Sequence, residues 1–401
     1  MQRLTNAWWA LLCALAACSS GSPAGGSPEG GADLSADLGA ASDASTVGDA
    51  ATSAVSHLRV HYPAGAHALS IRGDVAPLGW DTGAPASAAA DGTYEYAITL
   101  PAGTDVLEWK PLLDDTTWSR GPNYVAHRGE TVDVYPHFVT QAGTVVQLLP
   151  AFHSSVLQNT RVVWAYLPPT YAENARARFP VAYMHDGQNL FDVQPGLGPN
   201  GWRVDHALDV GAEDGSIREL IVVAPENAGL DREYEYTPTV DASETGHMGG
   251  GDLYLRMLVE ELKPTVDGML RTQPERATTG IIGSSLGGLI SVYAGVKQPA
   301  IYGLVGALSP STWWDNTVII GDVMGMGPLR PDRVYVDCGD SGPSNDDVTD
   351  TTQLAAAFEA LGYTDGVDLR FLVQPGGQHS EPYWAMRVPG ALAMLFGPRS
   401  P

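Results

Sequence analysis

Apolar residues come in two different rhythms along this chain of 401 residues. In the C-terminal part they form short unbroken runs bounded by turn residues, at 180–184, 277–282, 334–339 and 369–373. Runs of that length and continuity predict strands buried on both faces. Residues 286–296 (LGGLISVYAGV) predict a helix that begins with small residues. Nearer the N-terminus the rhythm is alternation in short segments, at 58–62, 68–72, 93–100, 106–111 and 131–135, with turn residues such as Asp91-Gly92 and Pro101-Ala102-Gly103 between them. That spacing predicts a small β-sandwich over residues 56–138. The fold class expected is therefore α/β: a doubly wound sheet over 139–401, preceded by an immunoglobulin-like β-sandwich.

The first 55 residues carry neither rhythm. Residues 1–17 hold one basic residue, Arg3, and an apolar run at 7–14. The run is too short to span a bilayer as a helix and reads as a secretory signal. Residues 18–55 are rich in Gly, Ser, Ala and Asp; from Ser19 on they contain no aromatic, Lys or Arg. Such a composition buries too little surface to offset chain entropy and predicts a flexible tether, reaching on the order of 35 Å.

Chemistry is suggested where a predicted strand meets a predicted helix. Gly283-Ser284-Ser285-Leu286-Gly287 has the form G-x-S-x-G. Glycines at both flanks allow a sharp turn that pushes a serine hydroxyl outward. The next amide, that of Leu286, would lie at a helix N-terminus and point at a developing oxyanion. A base is offered by His379, in a loop just after the run at 369–373. An acid is expected between serine and histidine in the chain. The loop after 334–339 supplies four candidates, Asp340, Asp346, Asp347 and Asp350, whereas Asp337 falls inside the strand. A second oxyanion donor is expected from the amide of Gln188 or Gly187, in the loop after the run at 180–184. The neighbouring His185 and Asp186 are expected to hold that loop by hydrogen bonds.

Six motifs, falling in order over about residues 155–397, resemble the esterase D / enterochelin-esterase-like branch of the α/β-hydrolases. They are Tyr183-Met184-His185-Asp186-Gly187-Gln188-Asn189-Leu190-Phe191-Asp192, Gly201-Trp202-Arg203-Val204-Asp205, Pro225-Glu226-Asn227 with the run from Arg232 to Pro238, the Gly283 elbow, Leu308-Ser309-Pro310-Ser311 with Trp313-Trp314, and Gly377-Gln378-His379 with Trp384. The resemblance implies a Ser-His-Asp carboxylesterase related to feruloyl, acetyl-xylan and siderophore-trilactone esterases. It implies Ser285 as nucleophile, His379 as base and Asp346 as the acid, with Asp347 and Asp340 as alternatives. By the same resemblance Arg232, Tyr234, Tyr236 and Trp313 are candidate pocket residues. The alternative readings are a siderophore-trilactone esterase, an acyltransferase on the same triad, and a non-catalytic glycan-binding lipoprotein.

The N-terminal unit resembles the starch- and glycogen-binding type of carbohydrate module at Gly73, Leu78-Gly79-Trp80, Leu107-Glu108-Trp109-Lys110, Trp118 and Gly121-Pro122-Asn123. The resemblance implies a sugar-stacking platform of Trp80, Lys110 and Trp118, since flat aromatic faces suit sugar C–H faces and an amine can donate to hydroxyls. Leu15-Ala16-Ala17-Cys18-Ser19 resembles a bacterial lipobox. It implies acylation of Cys18 and an exported protein, anchored to the outer membrane or cell surface by more than one acyl chain.

Of three cysteines, only Cys338 would remain for the folded part, so no internal disulfide is expected. No His, Cys or carboxylate cluster has metal-ligand spacing, and neither a metal nor a cofactor is expected. With 46 acidic against 22 basic residues and a formal net charge of −24, nucleic acid and anionic headgroups are excluded as partners, because both need clustered Lys and Arg.

Overall fold

The apolar runs of the C-terminal part assemble into one eight-stranded sheet. The computed structural model describes residues 54–192, 201–246 and 248–398. Labelled along the chain, the strands are β1 (Thr144–Ser154), β2 (Asn159–Leu167), β3 (Val181–Met184), β4 (Ile221–Pro225), β5 (Thr279–Ser285), β6 (Leu304–Pro310), β7 (Arg333–Gly339) and β8 (Leu369–Gln374). Their order in the sheet is β1-β2-β4-β3-β5-β6-β7-β8. β2 pairs antiparallel with both β1 and β4, and every pairing from β4 to β8 is parallel.

Both faces of this sheet are covered, as unbroken apolar strands require. Side chains alternate between them. Val181, Tyr183, Ile221, Val223 and Ile281 pack on one face with Leu289, Ile290 and Phe358 from helices. Ala182, Met184, Val222, Ala224 and Ile282 pack on the other with Trp202, Leu208, Trp384 and Leu392. Cys338 is a free, buried cysteine of β7, and burial pushes its thiol up to about 12.

The alternating segments near the N-terminus form two small antiparallel-rich sheets around a core that includes Leu58, Val60, Ile71, Ile98, Leu107 and Trp109. One sheet runs Ser87–Ala88, Thr93–Thr99, Val55–His61, Thr131–Val134. The other runs Ala84–Pro85, Leu69–Gly73, Val106–Leu113, Thr117–Trp118, with Tyr124–His127 also on Val106–Leu113. These sheets and the large one belong to a single compact unit, Thr52–Pro401. Cys18, the signal-like segment and residues 18–53 of the tether lie outside the described residues. Among the described residues no helix is long and apolar enough to cross a membrane.

Candidate active site

The groups of interest sit where the parallel strands end, the edge at which open α/β sheets gather ligands. Ser285 is the last residue of β5, and helix Leu286–Lys297 starts at the next residue. Its backbone is left-handed, with φ 56° and ψ −127°, and its side chain makes no capping bond to the helix. A non-glycine residue in that region is strained and persists only where the surroundings enforce it. Here the enforcing contact is visible at Gly283, where a Cβ would stand 2.6 Å from the Gly287 carbonyl. The chain crosses itself so tightly that only glycine fits. Ser285 Oγ lies 3.4 Å from Ser311 Oγ, and the Ser311 amide donates to the Ser285 carbonyl.

His379 lies in the loop between β8 and helix Glu381–Phe396. Its Nδ1 is 2.7 Å from Asp346 Oδ1. An ionised carboxylate only accepts, so Nδ1 carries a proton, and in a neutral imidazole Nε2 is then the nitrogen with the lone pair. Trp384 meets the imidazole edge to face at 5.1 Å and in turn packs against Trp202 at 5.8 Å. Asp346 is buried, which alone would push its carboxyl up; bonds from His379, the Ser309 hydroxyl and the Gly339 amide outweigh that and hold it below the usual carboxylate range.

The other loop aspartates face elsewhere. Asp340 accepts from the Gly376 amide, and Asp350 from the Gln353 side chain. Asp347 accepts from the Trp313 amide, and burial together with Asp350 pushes it up to about 7. The structure thus brings Asp346, and not Asp340 or Asp347, to the imidazole.

The loop after β3 approaches from the other side of β5. Gly187–Asn189 form a 3-10 turn, and a Cβ on Gly187 would stand 2.3 Å from the Ala224 carbonyl oxygen of β4. Gln188 Oε1 accepts from the Asn227 amide. Asp186, left-handed at φ 56°, takes a bidentate pair from Arg232 at 2.7 and 2.9 Å and a further bond from Asn227 Nδ2 at 2.6 Å. His185 is buried, with Nδ1 2.9 Å from the Tyr254 hydroxyl. Burial lowers it to about 3, so it is neutral, and its Nε2 has no hydrogen-bond partner among the described residues. Both residues therefore hold the loop.

One pocket assignment, that of Tyr236, needs correction. Tyr236 has no exposed surface: it packs on His185 and Tyr254, and its hydroxyl accepts from the Asp186 amide. It supports the loop from beneath and cannot touch a substrate. Arg232 gives two of its nitrogens to Asp186 and so braces the loop, while its side chain stays 26% exposed. Trp313 is 41% exposed beside Trp314, and Tyr234 is half-buried with its ring against Gly250.

In the N-terminal sheets, Trp118 is exposed, Trp80 half-buried, and their rings are 6.1 Å apart. Arg72 lies over Trp118 at 5.1 Å, while the Lys110 amine donates to the Gly121 carbonyl.

Sequence reasoning assigned no role to Ser309, Asp337 or Arg387, which surround Asp346. Ser309 lies in the Leu308-Ser309-Pro310-Ser311 motif, and Arg387 is the lone cation of helix Glu381–Phe396. A charge at a position that helical periodicity places inside is the signal that could have found it.

The Esterase family model matches residues 154–395. A Bacillus subtilis (strain 168) protein named Uncharacterized protein YbbA is 29% identical over 246 residues, 58% of this chain and 91% of that protein. An endo-1,4-beta-xylanase/feruloyl esterase of Xylanibacter ruminicola is 25% identical over 215 residues, 52% of this chain, which spans only 27% of that enzyme. The fold is like that of the enterobactin esterase FES from Shigella flexneri, with a TM-score of 0.50 and 15% identity over 81% of this chain and 87% of that one. The chain belongs to the Esterase family: it has the enterochelin/feruloyl-esterase-like fold and is a carboxylic ester hydrolase.

Proposed function

We propose that this ester hydrolase works through a Ser285-His379-Asp346 triad and a covalent acyl-enzyme. The 2.7 Å bond from His379 Nδ1 to Asp346 carries the reading, because it fixes the tautomer whose Nε2 can accept a proton. In this mechanism His379 takes the Ser285 proton as Oγ attacks the ester carbonyl. The tetrahedral oxyanion is met by the Leu286 amide and by the amide of Gln188 or Gly187. His379 returns the proton to the leaving alcohol, then activates water to release the acid. Each oxyanion donor would contribute roughly a hundred- to a thousand-fold in rate.

Carbohydrate-linked acyl esters are the substrate class we favour. The Xylanibacter relative is named a xylanase/feruloyl esterase, and that name is what supports this choice. Hydrolysis of p-nitrophenyl acetate by the parent and by Ser285→Ala tests the mechanism. A loss of about four orders of magnitude or more in kcat is expected; equal activity in both would sink it. A panel of feruloyl, acetyl-glycan and trilactone esters then assigns the substrate.

Export and lipid anchoring through Cys18 belong to the same proposal, on the strength of the apolar leader and its Leu-Ala-Ala-Cys ending. Incorporation of labelled palmitate in a bacterial host should disappear in Cys18→Ser, and persistence of label would refute the anchor.

A further inference from the structure

The triad reading leaves unexplained a buried charge cluster behind the acid, and this inference rests on that reading. Ser309, next to last in β6, has φ 39°, a strained conformation for a residue with a side chain, and it is fully buried. Its hydroxyl oxygen lies 3.0 Å from Trp384 Nε1, 2.6 Å from Arg387 Nη2 and 2.7 Å from Asp346 Oδ2. Indole and guanidinium nitrogens only donate, so the hydroxyl accepts from both. Its single proton has one remaining destination, Asp346 Oδ2. Every bond in this junction is therefore directed.

Arg387 would be a strong competitor for Asp346. Its Nη2 is 3.7 Å from Asp346 Oδ2, and both side chains are almost wholly buried. The Ser309 hydroxyl bridges them from one side, and the two charges face each other directly at that distance. The rest of the guanidinium is held by Gln374 Oε1 at 3.1 Å and stands beside Asp337 Oδ1, also at 3.1 Å. Asp337 accepts as well from the Ser309 amide and the Tyr335 hydroxyl. The charged and titratable groups that face Asp346 are thus His379, Arg387, Asp337, Asp347 and the Cys338 thiol.

We infer that Ser309 is a positioning residue for the catalytic acid: by bonding both Arg387 Nη2 and Asp346 Oδ2 it holds the two charges at 3.7 Å rather than in closer contact, so that Oδ1 stays aimed at His379. Without the hydroxyl, the guanidinium closes on Asp346, draws the carboxylate off the imidazole and neutralises the charge that stabilises the imidazolium. Two consequences follow. Turnover falls because the base is no longer oriented. The acid limb of the pH–rate profile moves to lower pH because the imidazolium has lost part of its anionic partner.

The test compares full-length Ser309→Gly and Ser309→Ala with the parent, Ser285→Ala and Asp346→Asn on a neutral ester. Glycine takes φ 39° without strain, so Ser309→Gly removes the hydroxyl while relaxing the backbone, and thermal melting checks its fold. Both Ser309 variants should lose about ten- to a hundred-fold in kcat, with KM within about twofold and the acid limb lowered by about half a pH unit or more. Inactive Ser285→Ala and Asp346→Asn beside a Ser309→Gly with parental kcat and pH profile would overturn the inference and leave the triad standing. A lowered kcat with an unmoved acid limb would also overturn it, as the mark of a merely structural role. Parental activity in Ser285→Ala would instead remove the triad reading beneath it.

Discussion

His185 shows how much of this site is support. It stands under the elbow, close enough that a Cβ on Gly283 would reach 2.8 Å from its ring, and burial lowers it to about 3 from the ordinary 6.5. The folded protein keeps it neutral, whereas the unfolded chain protonates it below about 6.5. Its contribution to stability is therefore complete above that pH and is lost as pH falls toward 3, on the order of a few kcal/mol in all. Asp337 and Asp347, pushed up to about 6 and about 7 by burial first, act in the opposite sense: the fold binds their protons better than the unfolded chain does, so they favour unfolding as pH rises through those values. The His185 effect is isolated by difference. His185→Gln should be less stable than the parent at pH 7, and the gap in denaturant midpoint should narrow as pH is lowered to 4. A gap that stays constant would mean that His185 is not held neutral. The other mark at this scale is strain: Asp186, Ser285, Ser309 and Asp346 all have positive φ, and all lie at the candidate site.

At the scale of elements, what could be read from the sequence was what burial on both faces writes into it. β3, β4 and β7 are buried almost throughout, and the runs at 180–184 and 334–339 were legible for that reason. The helix expected at 286–296 is Leu286–Lys297, because small residues at its start are needed where it crosses the elbow. The β1–β2 hairpin was not legible. β1 is an edge strand with mixed exposure, it contains Pro150, and its pairing slips between Gln147 and Leu149 and again before Phe152, so no period of two survives. Ala84–Pro85, Ser87–Ala88 and Thr117–Trp118 are two residues each, too short to carry any period. The acid could be narrowed to one loop but not, from residue types alone, to one carboxylate. Residues 344–347 turn through left-handed conformations that no local preference announces, and this turn decides which aspartate faces His379. The junction at Ser309 is formed by side chains 37 and 78 positions away, a separation at which local pattern carries no information.

At the scale of the whole molecule, the N-terminal sheets are joined to the large-sheet portion by a polar clamp. Helix Pro169–Glu173 ends in Glu173, whose Oε1 accepts from the Phe138 amide and the Tyr62 hydroxyl and whose Oε2 accepts from the amides of Val139 and Thr140. Burial would push this carboxyl up, but those amides outweigh it and hold it below the usual range. The adjacent Asn174 donates to the carbonyls of His61 and Pro136, and Arg176 to that of Asp91. On another side Arg120 meets Glu213, and Pro122 packs where a Cβ on Gly215 would reach it at 2.8 Å. A carboxylate with four donors is a charge-assisted junction, and removing it leaves backbone amides unpaired, at a cost of about 3 kcal/mol. Glu173 touches none of the residues at the candidate site. Glu173→Ala should therefore lower the denaturant midpoint by an amount of that size while kcat on a small ester stays within about twofold. If the clamp makes the sheets one cooperative body, the parent unfolds in a single transition followed equally by probes in both parts. Two separated transitions already present in the parent, or an unchanged midpoint in Glu173→Ala, would show that the N-terminal sheets are carried by the large-sheet portion without being fastened to it.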